Sequence, residues 1–213
     1  MSKKVRIGIV GATGYTGVEL LRILCQHPHA ELVAVTSRQQ AGQTVPQVFP
    51  KFASHPRARA LRFVEPNAEV LAKQAEVVFL ALPHGVAAEF AVPLLNGGAR
   101  VIDLSADFRL KSAATYKEFY AHDHPAPELL AKSVYGLPEV HRAAIQGAML
   151  VASPGCYPTS ILLPTLPLLR AGLIKPQGII ADSMSGVSGA GRKAEVDILF
   201  SEASDNDYSG RGL

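Results

Sequence analysis

Glycines at every third position, Gly11, Gly14 and Gly17, follow directly on the apolar run Val5-Arg6-Ile7-Gly8-Ile9-Val10 and lead into Val18 to Gln26, which has helical spacing. This order of strand, glycine loop and helix constrains the fold more than any other feature. Glycine lets the backbone approach a pyrophosphate closely, and the N-terminus of the following helix supplies unpaired amide donors for it. The spacing is Gly-x-x-Gly-x-x-Gly, a departure from the plain Gly-x-Gly-x-x-Gly fingerprint, and a glycine-rich turn also serves helix packing alone. Gly11, Thr13, Gly14, Tyr15, Thr16 and Gly17 are the candidate dinucleotide contacts.

The next apolar segment, Glu31-Leu32-Val33-Ala34-Val35-Thr36, ends in Ser37-Arg38. An NAD-binding fold usually carries an acid at this position, which holds the ribose 2′-hydroxyl and repels a 2′-phosphate. Ser37 can hydrogen-bond a 2′-phosphate and Arg38 adds a charged planar donor set, so the expected cofactor is NADP(H), against a merely solvated arginine. Further strands are expected at Glu76 to Leu82, closing in Pro83-His84-Gly85 before a helix from Val86 to Leu95, and at Arg100 to Leu104, ending in Ser105-Ala106-Asp107-Phe108-Arg109. Alternating strands and helices imply an α/β fold, a Rossmann-type doubly wound parallel sheet, with ligands outside the carboxyl ends of the strands. Pro83 then faces the cofactor. Arg109 is either a clamp for substrate phosphate or carboxylate or one half of a surface ion pair with Asp107, and His84 reads most simply as a helix-capping histidine.

Cys156 stands in Ser153-Pro154-Gly155-Cys156-Tyr157-Pro158-Thr159, between the apolar run Ala148 to Ala152 and a helix that proline 158 is expected to open. A helix N-terminus favours negative charge beside it, as a nucleophilic thiolate requires, and Gly155 allows the sharp turn that aims the sulfur outward. The other reading is a buried cysteine acting as a small hydrophobe. Pro164 and Pro167 predict that the helix after Cys156 is short or kinked. A second glycine loop, Ser185-Gly186-Val187-Ser188-Gly189-Ala190-Gly191-Arg192, follows an expected strand at Gly178 to Ser183 and is either an anion- or ring-binding loop or a connector.

Composition excludes several classes. The chain has 213 residues, 48% of them hydrophobic, and a net charge of +3 with scattered lysines and arginines, so a sizeable core is available and nucleic acid is not an expected partner. The two cysteines, Cys25 and Cys156, occupy different contexts and form no disulfide framework, which fits a reducing compartment. Val5 to Val10 is too short for a signal sequence and no run suggests a membrane span, so a cytoplasmic protein is expected. His122-Asp123-His124 lies in a proline-containing loop between less regular segments and lacks the further ligands a metal site needs, so no metal is assigned. Tyr135 to Glu139 reads as a turn into the strand that precedes Cys156.

Six segments in order, Gly11 to Gly17, Ala81 to Gly85, Asp103 to Arg109, Tyr135 to Glu139, Pro154 to Thr159 and Ser185 to Gly191, resemble N-acetyl-gamma-glutamyl-phosphate reductases, relatives of aspartate-semialdehyde dehydrogenase. The resemblance covers the whole chain and implies NADPH-dependent reduction of an acyl phosphate to an aldehyde through a thioester on Cys156. It implies cofactor contacts at Ser185, Gly186 and Gly189, near the nicotinamide half, and makes Arg109 and Arg192 the substrate-binding candidates. It also implies an NADP-binding domain over residues 1–153, the start of an incomplete α+β catalytic and dimerisation domain over 154–213, and homo-oligomers in the longer family form. Family members carry a catalytic histidine beyond the point matching Leu213, so the chain alone is expected to reduce acyl phosphate poorly. The rival readings are an aspartate-semialdehyde dehydrogenase-like enzyme, a non-catalytic NADP-binding module, and a fragment completed by a separate C-terminal chain.

Overall fold

The computed structural model describes residues 3–192. Strands and helices alternate: β1 (Val5–Val10), α1 (Tyr15–Gln26), β2 (Ala30–Thr36), the short α2 (Val45–Val48) and α3 (Pro56–Arg59), β3 (Phe63–Val64), α4 (Ala68–Gln74), β4 (Val77–Leu80), α5 (Ala87–Asn96) and β5 (Arg100–Asp103). There follow α6 (Ala113–Tyr120), α7 (Pro127–Leu130), β6 (Val134–Tyr135), α8 (Pro138–Gly147), β7 (Leu150–Ala152) and α9 (Cys156–Arg170). The strands form one sheet in the order β3-β2-β1-β4-β5-β7-β6, every adjacent pair parallel. From β1 the chain builds outward to β3 on one side and from β4 outward on the other. The loops after β1 and β4 therefore part at a topological switch point, where such sheets open a crevice for ligands.

Period-two alternation along the central strands divides the core into two layers. Ile7, Ile9 and Val35 point into one, against Val18, Leu21, Leu24 and Cys25 of α1 and the aromatic group Phe49, Phe52 and Phe63. Val10, Ala34, Val78, Leu80 and Val101 point into the other, against Leu71 and Ala75 of α4 and its flank and Ala87, Phe90, Ala91 and Leu94 of α5. Cys25 is thus a packed apolar side chain, and burial pushes its thiol pKa up, which suppresses reactivity.

The chain divides into compact units at Met1–Pro154 and Gly155–Leu213. Several local expectations change. The helix after the second cysteine begins at Cys156, with Pro158 as its third residue, and runs unbroken to Arg170 through Pro164 and Pro167. A proline at the third position loses nothing, since that amide has no partner inside the helix. Thr165 Oγ1 donates to the Ile161 carbonyl at 2.6 Å, adding a side-chain bond in the proline-containing turns. Gly178 to Ser183 forms no strand: Gly178 has φ +74° and Ile180 is 93% exposed. The turn expected at Tyr135 to Glu139 splits between β6 and the start of α8, and the region from Ser112 onward contains α6 and α7. No helix among the described residues is long and apolar enough to cross a membrane.

Candidate active site

Gly11 turns the chain off β1 with φ +79°, and any Cβ there would overlap the Ala81 carbonyl oxygen at the end of β4. Gly17 is packed equally hard: a Cβ would lie 2.6 Å from Ala12 Cα, so this glycine sets how closely α1 packs on the loop. Gly14 is the N-cap of α1 and offers no capping side chain. No cap side chain therefore competes with an anion at the first turn of α1, as a pyrophosphate site needs. Tyr15 and Thr16 open the helix and are exposed.

The loop reaches the end of β2 directly. Ala12 N donates to the Thr36 carbonyl at 3.0 Å, and the hydroxyls of Thr13 and Ser37 lie 3.2 Å apart. Ser37 is buried and also accepts from Gln40 N at 3.3 Å, while Arg38 is exposed. Thr36 Oγ1, at the same strand end, is buried without a hydrogen-bond partner among the described residues, a costly state for a hydroxyl. Hydroxyls, a cation and the lack of an acid at this strand end fit a 2′-phosphate better than a free ribose hydroxyl. The glycine loop and this corner thus meet the requirements of a phosphorylated dinucleotide.

At the end of β5 the polar side chains Asp103, Ser105 and Asp107 are turned inward. Asp103 is fully buried and accepts from Ser105 N at 3.0 Å and from Ser105 Oγ at 2.7 Å. Burial pushes its pKa up to about 6, against the opposing hydrogen bonds of Ser105. The ion pair between Asp107 and Arg109, one of the two readings of that arginine, does not form. Asp107 accepts from Gly85 N and Ala87 N instead, and Arg109 donates from Nε to the Ser153 carbonyl at 2.8 Å and from Nη2 to the Leu104 carbonyl at 3.1 Å. A side-on clamp by Arg109 on a phosphate would have to break these bonds. His84 caps no helix; its Nδ1 accepts from Ala106 N at 3.1 Å.

His122 and His124 go separate ways. His122 Nε2 lies 3.2 Å from the Tyr116 hydroxyl and Nδ1 lies 2.8 Å from the Tyr120 carbonyl, whereas His124 is buried against Phe108 and Tyr116 with Nδ1 accepting from Ala126 N. Burial holds the His124 pKa below its ordinary value, opposed mainly by the charge of Asp107, and pushes that of Tyr116 up to about 12. Among the described residues no group of three or more His, Cys, Asp or Glu converges on a metal position.

In the second unit Cys156 is exposed and is the first residue of α9. The cap is Gly155, without a side chain, and its carbonyl takes both Thr159 N at 3.0 Å and Thr159 Oγ1 at 2.8 Å. The exposed sulfur is not the buried, packed cysteine of the second reading. In the second glycine loop Val187–Ala190 form a 3₁₀ turn capped by Gly186, and a Cβ on Gly189 would lie 2.7 Å from Ser185 Oγ. Arg192, at the end of this loop, is exposed. Sequence reasoning missed Asp107 as the partner of Gly85 and Ala87, because its acceptors act about twenty residues back along the chain.

Residues 6–148 match the sequence model described as semialdehyde dehydrogenase, NAD binding domain, and residues 156–208 match that described as semialdehyde dehydrogenase, dimerisation domain. The chain belongs to the semialdehyde dehydrogenase family. Curated relatives named N-acetyl-gamma-glutamyl-phosphate reductase include one from Akkermansia muciniphila, 55% identical over 97% of this chain and 60% of its own length. Another, from Saccharophagus degradans, is 54% identical over 95% of this chain and 57% of its own length. The chain therefore spans about three fifths of the length of the curated relatives it matches. These relatives bear out the resemblance read from the six motifs. Among solved structures, aspartate semialdehyde dehydrogenase II from Vibrio cholerae, complexed with ASA, aligns with a TM-score of 0.60 at 20% identity, over 90% of this chain and 49% of that one. Aspartate semialdehyde dehydrogenase with NADP from Candida albicans aligns with a TM-score of 0.55 at 18% identity, over 80% of this chain and 48% of that one. At such identity these likenesses show the fold alone, in keeping with the parallel sheet described above.

Proposed function

We propose that the chain carries the NADP(H) site and the nucleophile of an N-acetyl-gamma-glutamyl-phosphate reductase, which converts N-acetyl-L-glutamyl 5-phosphate to N-acetyl-L-glutamate 5-semialdehyde and phosphate in arginine biosynthesis. The observation that carries this reading is the exposed Cys156 at the start of α9 in a chain whose relatives of that name are 54–55% identical over nearly its whole length.

The residues divide the work as follows. Gly11, Gly14 and Gly17 admit the pyrophosphate to the amides of α1, with Thr13, Tyr15 and Thr16 beside it. Ser37 and Arg38 hold the 2′-phosphate and Pro83 lies along the nicotinamide half; Ser185, Gly186 and Gly189 are further cofactor contacts by the family resemblance. NADPH, when bound, supplies a hydride. The Cys156 thiolate attacks the acyl carbon, the carbon–oxygen bond to phosphate breaks, and phosphate leaves with the bonding electrons, giving a thioester. Splitting the reduction at this thioester replaces one difficult step by two easier ones. After reduction at that carbon the carbon–sulfur bond breaks, the aldehyde departs and the thiolate is restored. Arg109 and Arg192 orient the anionic groups of the substrate, Arg109 only after releasing its carbonyl partners. The match of residues 156–208 to a dimerisation domain supports a homo-oligomer, and the reading places the enzyme in the cytoplasm.

The test is reduction of NADP+ by the purified chain with N-acetylglutamate semialdehyde, with and without phosphate or arsenate, beside Cys156→Ser. Any turnover, however slow, should require both the oxyanion and the thiol, while NADP+ binding survives the substitution. Oxyanion-dependent activity in Cys156→Ser equal to that of the native chain would refute the assignment.

A further inference from the structure

The loops after β4 and β5 are laced together by a side chain from each. Asp107, fully buried, accepts from Gly85 N at 2.8 Å through Oδ1 and from Ala87 N at 3.1 Å through Oδ2. Ala87 opens α5, whose N-cap residue Val86 makes no side-chain bond, so Asp107 supplies the cap from a neighbouring loop. A carboxylate there satisfies orphan amides and sits at the positive end of the helix dipole. In the other direction His84 Nδ1 accepts from Ala106 N at 3.1 Å. Asp107 is fixed in turn: its N donates to Ser105 Oγ at 3.1 Å, Ser105 Oγ donates to Asp103 Oδ2 at 2.7 Å, and the Asp103 carbonyl accepts from Ser153 N at 2.7 Å.

A dinucleotide held by its 2′-phosphate at the end of β2 and by its pyrophosphate at the glycine loop after β1 must run on toward the end of β4. Ala81, where β4 ends, already presses on Gly11, and Pro83-His84-Gly85 follows at once. This loop is one wall of the switch-point crevice. We infer that Asp107 is a positioning residue for the cofactor: by holding the Gly85 and Ala87 amides it fixes the Pro83–Gly85 loop against which the nicotinamide half lies. The inference rests on the NADP(H) reading above.

Asp107→Asn keeps the shape but turns one acceptor into a donor facing an amide N–H, so at least one of the two bonds fails. The chain, native and Asp107→Asn, is titrated with NADP+ and with 2′,5′-ADP, which carries the 2′-phosphate but no nicotinamide. Amide hydrogen exchange at Gly85 and Ala87 is followed without nucleotide. The variant should exchange faster at one or both of these amides and bind NADP+ at least about fivefold more weakly, while 2′,5′-ADP stays within about twofold. His84→Ala, at an exposed position that leaves the carboxylate in place, should show the same asymmetry at smaller size. Equal losses for both ligands, or faster exchange with unchanged NADP+ affinity, would overturn the positioning role. A native chain that binds neither ligand would instead overturn the NADP(H) reading, and the inference with it.

Discussion

Gly11→Ala tests the glycine loop at its tightest point. The substitution has two separable costs. At φ +79° an alanine is in the left-handed region, which costs an L residue about 1–2 kcal/mol. Its Cβ would also lie 3.0 Å from the Ala81 carbonyl carbon and nearer still to the oxygen, and because both are backbone atoms of an interior strand end they cannot swing aside. Overpacking of this kind costs about 1–3 kcal/mol, for a total of roughly 2–5 kcal/mol. Gly42→Ala is the control: φ is +87° but nothing lies within 4 Å of the added carbon, so only the conformational cost applies. Urea unfolding of the native chain and both variants gives the two values from shifts in midpoint at constant slope. The excess for Gly11→Ala over Gly42→Ala is the steric contribution, expected at about 1–3 kcal/mol, and NADP+ affinity should fall only for Gly11→Ala. Equal destabilisation by the two substitutions would refute the close packing of the loop on β4.

The elevated pKa of Asp103 makes stability depend on pH with a defined sign: the folded value is about 6 and the ordinary value 3.8, so the folded state holds its proton longer. The contribution is intact below the ordinary value and is lost as pH rises from about 4 through 6, by an amount on the order of 3 kcal/mol. Denaturation across this window should show a fall for the native chain relative to Asp103→Asn; parallel curves would contradict it. Arg38→Asp should reverse the cofactor preference by removing a charge-assisted bond to the 2′-phosphate and adding repulsion, lowering NADP+ affinity by about 10-fold or more while sparing NAD+. Fluorescence titration with both nucleotides decides this, and equal effects on the two would place the 2′-phosphate elsewhere.

What the sequence revealed and what it concealed follow the range of the forces involved. Gly11, Gly14 and Gly17 were readable because the absence of a Cβ is a local property whose use depends only on the strand before and the helix after. The parallel sheet was readable for the same reason, through alternating apolar runs. Cys156 at a strand-to-helix junction was also visible, although the helix begins two residues earlier than Pro158 suggested. Gly178 to Ser183 has the composition of a strand, but no strand among the described residues pairs with it. The proline rule misjudged α9, where the first proline occupies a position with no bond to lose and the later two are accommodated within the helix. Asp107 was unreadable as a cap because its amide partners belong to another loop. Proximity in sequence pointed to Arg109 two residues away, whereas folding brings Gly85 and Ala87 to it.

The central claim is that Cys156 is the acyl acceptor, and intact-mass analysis tests it most directly. The chain is mixed with N-acetylglutamyl 5-phosphate without reduced cofactor, and the adduct is located by peptide mapping. The expected result is one N-acetylglutamyl group per chain on Cys156, with an equivalent of phosphate released and no adduct in Cys156→Ser. An unmodified native chain, or an adduct that persists in Cys156→Ser, would contradict the account.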